Sequence, residues 1–152
     1  MKITIIWWTW AFWQFWQKYF IEKWFEVIIS SRSTEIKPID AVKMWDVIIF
    51  CVSIRNTVKV IADLIPEIPE NKLVMDFTWV KTKASLELSK YKLWEVVATH
   101  PMFWPWIKSI ENQNIAFDPI IAWEKWEIIY KLWKNDNINL IEMSSKKHDE
   151  LV

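Results

Sequence analysis

Where the first apolar run (3–6) ends, the chain reads Trp8-Thr9-Trp10-Ala11-Phe12-Trp13 and passes into an amphipathic stretch. These three tryptophans have the spacing of three glycines that cradle a pyrophosphate between a strand and a helix. In such a turn the first glycine permits the bend and the second lets the backbone approach the phosphates. The third lets the helix pack on the strand, and the anion then meets free N–H groups at the helix N-terminus. Trp8, Thr9, Trp10, Ala11, Phe12 and Trp13 are therefore candidate dinucleotide-binding residues. An indole at position 10 would fill the space of the pyrophosphate. Two readings follow: a hydrophobic turn that binds no nucleotide, or a dinucleotide turn in which tryptophan stands for glycine.

The end of the second apolar run bears on the choice of nucleotide. An acidic residue there would bind the ribose hydroxyls of NAD. The chain instead carries Ser30-Ser31-Arg32-Ser33, with no carboxylate before Glu35. Hydroxyls beside a guanidinium suit the 2′-phosphate of NADP, through charge-assisted hydrogen bonds. Ser31, Arg32 and Ser33 are accordingly candidate cofactor contacts, with NADP expected before NAD.

The same conflict recurs along the chain. There are 14 Trp and no Gly among 152 residues, where roughly ten Gly would be usual. Trp10, Trp13, Trp24, Trp45, Trp94, Trp104 and Trp106 fall at element ends or in loops, where glycine supplies positive φ and tryptophan seldom stands. One rule, tryptophan written in place of glycine, removes every one of these conflicts.

The elements that must position these residues alternate. Strands are expected over 3–6, 25–29, 47–52, 73–77, 95–98, 114–117 and 139–142. Helices are expected over 11–23, 38–44, 57–64, 83–89 and 124–132, the fourth strand and its neighbours being short apolar runs. Alternation of this kind makes right-handed βαβ units, hence an α/β, Rossmann-type doubly wound and mainly parallel sheet with helices on both faces. Residues 1–143 form one domain in this reading. Residues 144–152 begin a further helix, with an N-cap serine, leading toward a C-terminal helical domain outside the chain.

Three segments carry a likeness to known proteins: IIWWTWAFWQFW, VIIFCVSIRNTVKVI, and LVMDFTWVKTKASL followed by VVATHPMFWPW. Together they resemble the NADP-binding domain of the prephenate dehydrogenases, with tryptophan at the family's glycine positions. The resemblance covers the whole chain, and a His-Asp pair like His148-Asp149 stands in the family near the start of a helical domain. It implies oxidative decarboxylation of prephenate or arogenate, with hydride passing to NADP, as in tyrosine biosynthesis. His100 matches the family's catalytic histidine, a base suited to the hydroxyl proton because its pKa lies near neutral. The resemblance also places Val52, Ser53, Thr57 and Thr78 along the cofactor, and Trp79, Lys81 and His100 toward the substrate. Position 79 departs from the family, which usually has a serine there. His148, on a Lys-rich terminal helix, is expected at the surface.

Other functions stay open beside this one: a different small NADP oxidoreductase, a non-catalytic NADP-binding module, or a tryptophan-rich chain that binds no nucleotide. A formal net charge of zero gives no basic surface for nucleic acid or an anionic membrane. No metal site is evident. A small-molecule substrate and a homodimer, which the family builds with its helical domain, are the expected partners. Without a signal-like N-terminus or an apolar run of membrane length, the expected location is cytoplasmic. Cys51, the single cysteine, lies in VIIFCV and is expected to be buried and inert.

Overall fold

The computed structural model describes residues 1–7 and 11–152. The chain runs β1 (Lys2–Trp7), α1 (Phe12–Glu22), β2 (Glu26–Ser30), α2 (Pro38–Ala41), β3 (Val47–Cys51) and α3 (Ile54–Leu64). It continues through a single 3₁₀ turn to β4 (Leu73–Asp76), α4 (Thr82–Leu88), β5 (Glu95–Pro101) and β6 (Asn114–Ile121). It closes with α5 (Glu124–Asn135), β7 (Asn139–Glu142) and α6 (Ser145–Leu151). The strands form one seven-stranded sheet in the order β2-β1-β3-β4-β5-β6-β7. Neighbours are parallel except β5 and β6, which are antiparallel, so β6 and β7 run against the first five. This is the Rossmann-type, mainly parallel architecture that the alternation predicts.

Both faces of the central strands are covered, and alternate residues feed two separate cores. Ile3, Ile5, Val47, Ile49, Leu73 and Met75 join Trp16 and Phe20 of α1 and Ile129 and Trp133 of α5 in one core. Ile6, Ile48, Phe50 and Val74 join Val60, Ile61 and Leu64 of α3 and Leu88 of α4 in the other. Cys51 is buried in the first core, and burial pushes its thiol up to about 12. No helix among the described residues is long and apolar enough to cross a membrane.

Several boundaries differ from the sequence reading, three of them for a readable local reason. β5 runs on through Thr99, His100 and Pro101 because β6 pairs with all three. β6 continues past Phe117 through Pro119; β7 pairs only with Asn114 to Phe117, so the missing proline N–H costs no bond on that side. α3 starts at Ile54, because the carbonyl of Ser53 accepts the amides of Asn56 and Thr57. The tryptophans divide. Trp24 follows α1 at φ 69° and is 96% exposed, a conformation that costs a residue with a Cβ about 1–2 kcal/mol. Trp16, Trp126 and Trp133, which are not among the seven that the sequence places at element ends or in loops, are buried on helix faces. The indole N–H groups of Trp7, Trp16 and Trp133 are buried without a hydrogen-bond partner.

The start of α5 depends on one buried carboxylate. Glu95 on β5 accepts the backbone amides of Trp123 at 2.6 Å, Trp126 at 3.0 Å and Lys125 at 3.1 Å. These are the donors a helix leaves open at its first turn, and the carboxylate also meets the positive end of the helix dipole. Replacing Glu95 by Ala leaves those amides without acceptors, an expected loss of about 2–3 kcal/mol in urea unfolding. Glu95→Gln, which keeps one acceptor oxygen, is expected to lose less.

Candidate active site

Because β1 to β5 are parallel, their C-terminal ends share one edge of the sheet. The order reverses between β1 and β3, which opens a crevice above that edge where nucleotides bind in sheets of this kind. The described candidates at the ends of β1, β2, β3, β4 and β5 lie along this edge. Trp8, Thr9 and Trp10 lie outside the described residues. Ala11 leads into α1 at φ 77°, with no side chain capping the helix and no acidic residue in its first turn. Its leading amides are thus of the kind that meet an anion. The rings of Trp7 and Trp13 stack across the same turn, with centroids 4.9 Å apart. Two large rings side by side between the end of β1 and the first turn of α1 do not fit the close backbone approach that a dinucleotide needs.

After β2, the hydroxyl cluster forms a closed turn. Ser31 Oγ lies 3.1 Å from Ser33 Oγ and accepts the Ser33 amide, while Thr34 Oγ1 accepts the Ser31 amide at 2.9 Å. Arg32 is exposed on this turn, and its carbonyl accepts from Lys37 Nζ at 2.8 Å. After β3, Val52 is buried, and Thr57 Oγ1 donates to the carbonyls of Val52 and Ser53. Ser53 Oγ accepts from Asn56.

Beside this turn lies a cleft of about 410 Å³, lined by Ala11, Phe12, Phe77, Trp79, His100 and the segment from Met102 to Trp106. Trp79 and His100 pack against each other in its lining, with ring centroids 5.4 Å apart. The rings of Trp104 and Trp106 stack at 5.4 Å near its mouth. Lys81 does not line this cleft; it is buried beneath the strand ends.

Under the cleft, polar groups form a closed circuit. Asp76, fully buried at the end of β4, accepts from the amide and hydroxyl of Thr78, from Lys81 Nζ, and from the Thr99 amide at 3.1 Å. Lys81 Nζ also donates to the Thr99 carbonyl at 2.6 Å, and Thr99 Oγ1 donates back to the Asp76 carbonyl. Burial pulls the Lys81 ammonium below its ordinary value, against the opposing charge of Asp76. The backbone amides of Lys81 and Thr82 donate at 2.8 and 2.7 Å to the Asp149 carboxylate of α6. Asp149 Oδ1 is 3.0 Å from His148 Nδ1, and His148 Nε2 is 2.7 Å from His100 Nδ1. Burial alone would raise the Asp149 carboxyl; the bonds from Lys81, Thr82 and His148 outweigh it and hold it well below the usual carboxylate range.

His148 is therefore not the surface residue its Lys-rich surroundings suggest; it is 2% exposed. α6 is fixed at its start by Asp118 of β6, whose Oδ2 accepts both the amide and hydroxyl of Ser145 at 2.6 and 2.7 Å. That anchorage turns His148 inward. Asp76 and Asp149 are further site residues that the sequence reading did not single out. The signal was present for Asp76, a carboxylate inside the apolar run LVMDF, since a charge so placed must find a partner. Among the described residues, no group of three or more His, Cys, Asp or Glu is placed to hold a metal ion.

Known proteins share both the sequence pattern and the fold. The sequence profile of the family described as "Prephenate dehydrogenase, nucleotide-binding domain" matches residues 29–115. The chain is 28% identical to a probable arogenate/prephenate dehydrogenase of Methanocaldococcus jannaschii, over all of this chain and 38% of that protein. It thus spans well under half the length of that relative. The crystal structure of Synechocystis arogenate dehydrogenase superposes with a TM-score of 0.84 at 15% identity, over 100% of this chain and 63% of the other. That of prephenate dehydrogenase from A. aeolicus, in complex with hydroxyphenyl propionate and NAD⁺, gives 0.75 at 15% identity, over 99% of this chain and 63% of the other.

The circuit makes stability depend on pH. Burial, with the charges of His148 and Lys81, lowers the His100 imidazolium from 6.5 to about 4, Asp149 opposing. The unfolded chain takes up that proton first, so the contribution is complete above pH 6.5 and is lost as pH falls from 6.5 toward 4. The urea midpoint should fall across this window, and His100→Asn should flatten that part of the curve. An equal slope in the variant would show that His100 is not its source.

Proposed function

We propose that this chain, which belongs to the prephenate dehydrogenase family through its nucleotide-binding domain, is the NADP-binding half of an enzyme that oxidatively decarboxylates prephenate or arogenate. The observation that carries this reading is His100. It stands at the end of β5 in one cleft with Ala11 and Phe12, the residues that follow the phosphate turn. A base at that place can take the proton of a substrate hydroxyl while the carbon bearing it loses hydride. When bound, NADP would supply the redox chemistry as the hydride acceptor, and the substrate would lose carbon dioxide as its ring becomes aromatic. The chain's own part is to hold the nucleotide at the α1 N-terminus, to favour the 2′-phosphate through Ser31, Arg32 and Ser33, and to present His100. The aromatic lining of the cleft suits a ring-shaped substrate.

In the working protein, we propose, glycine occupies the positions written as tryptophan. Support comes from the complete absence of Gly beside 14 Trp, from the positive φ of the fully exposed Trp24, and from three buried indole N–H groups without partners. Exchange of one residue type for another throughout a chain points to how a codon is read, since selection at single sites would leave some glycines in place.

Intact mass of the protein purified from its native source tests this first. A mass fitting glycine at the 14 positions restores the phosphate cradle, and NADPH should then bind. A mass fitting 14 tryptophans overturns dinucleotide binding for this molecule. In the binding-competent protein, Arg32→Ala is expected to weaken NADPH by about 10-fold or more, on the order of 1.5–3 kcal/mol for a charge-assisted contact, and NADH hardly at all. Equal losses would remove Arg32 from the 2′-phosphate.

A further inference from the structure

We propose that His148 and Asp149 are positioning residues that fix the tautomer of His100, holding its proton on Nδ1 and leaving Nε2 as the base. This deepens the dehydrogenase reading and rests on it for its catalytic meaning.

Each link follows from which atom can donate. The Asp149 carboxylate is ionised and can only accept, so His148 Nδ1, 3.0 Å away, must carry a proton. In neutral His148 the other nitrogen, Nε2, is then an acceptor. His100 Nδ1 lies 2.7 Å from it and must be the donor. That assigns the His100 proton to Nδ1 and leaves Nε2 with a free lone pair on a ring that lines the cleft. Asp149 is itself held against rotation by the amides of Lys81 and Thr82. The orientation of both rings therefore traces to the first turn of α4.

The surroundings keep the chain of bonds in its neutral form. The groups around it are Trp79 on the cleft side, Lys81 ahead of α4, Asp76 at the end of β4, and Asp118 on β6. Lys81 bears the cation and lies in contact with Asp76, so a second cation on His100 is disfavoured by burial and by the charge already present. When His100 takes a proton at Nε2, its Nδ1–H still points at His148 Nε2, and the new charge is shared along the three groups. No proton has to move to Asp149. A buried acid that orients an imidazole in this way is known to matter for general-base chemistry; here a second imidazole is interposed between acid and base.

The chain has two histidines, so ¹⁵N spectra of histidine-labelled protein report both rings without ambiguity and require neither cofactor nor substrate. At neutral pH both are expected as Nδ1–H tautomers. Asp149→Ala removes the acceptor from His148 Nδ1 and should let both rings take the Nε2–H form, moving the His100 proton to Nε2. His148→Phe removes the acceptor and should also shift His100 toward the Nε2–H form. Unmodified protein with the His100 proton on Nε2 would overturn the proposal by itself, even if neither variant folds. So would an unchanged Nδ1–H His100 in both variants. Failure of NADPH to bind while the tautomers are as expected would instead remove the dehydrogenase reading and leave the positioning role intact.

Discussion

The carboxylate of Asp76 is the group on which the site depends. Taking an ion out of water costs several kcal/mol unless partners replace the hydration, and removing one partner of a buried pair typically costs about 3–5 kcal/mol. Asp76 meets that demand with the Lys81 ammonium, the Thr78 amide and hydroxyl, and the Thr99 amide. Each partner belongs to a different piece of the site. Thr78 begins the loop after β4, Lys81 ends it at the threshold of α4, and Thr99 is the residue before His100 on β5. Satisfying one buried charge therefore fixes the loop, the helix start and the strand end together.

The second acid extends this from the sheet to the terminal helix. With Lys81 held by Asp76, its backbone amide and that of Thr82 face Asp149, which secures α6 at its far end as Asp118 secures it at its start. His148 is thereby clamped between Asp149 and His100. The circuit from Asp76 through Lys81, Asp149 and His148 reaches His100, and the preceding residue, Thr99, closes it by donating its amide to Asp76. A site built in this way owes its geometry to satisfied polar groups, and any one of them left open would be costly at this depth. The cleft side is different. It is lined mainly by aromatic and other apolar side chains.

Much of the architecture was legible in the chain. Short apolar runs alternating with amphipathic stretches predicted a mainly parallel sheet covered on both faces, and the two interleaved cores follow from that alternation. The antiparallel β5–β6 pair could not be read in that way, because β-strand direction leaves no trace in local periodicity. His100 was found through its motif, whereas His148 was misplaced because its neighbours Lys146 and Lys147 suggest a solvated helix. What turned it inward was Asp118, 27 residues away from the Ser145 it holds, and no local pattern encodes such a pairing. Asp76 was visible as a charge in an apolar run. Its partners were not, since three of its contacts come from loop geometry and a neighbouring strand.

The tryptophans show where local consistency breaks down. Natural sequences agree with their fold at each level, and the rare disagreements fall at functional sites. Here the disagreement is systematic: bulky rings at a phosphate turn, at a left-handed helix exit and in loops, beside a fold that is otherwise consistent. A single residue exchange restores agreement at the phosphate turn, at the exit of α1 and in the loops, and joins glycine at those positions to a nucleotide in the crevice. The most direct test is to add NADP⁺ to protein of established mass while following the side-chain nitrogens of its two histidines. Saturable binding that shifts the His100 Nε2 resonance and leaves His148 nearly unmoved is the predicted result. Binding that leaves His100 untouched, or no binding to a chain whose mass fits glycine, would contradict it.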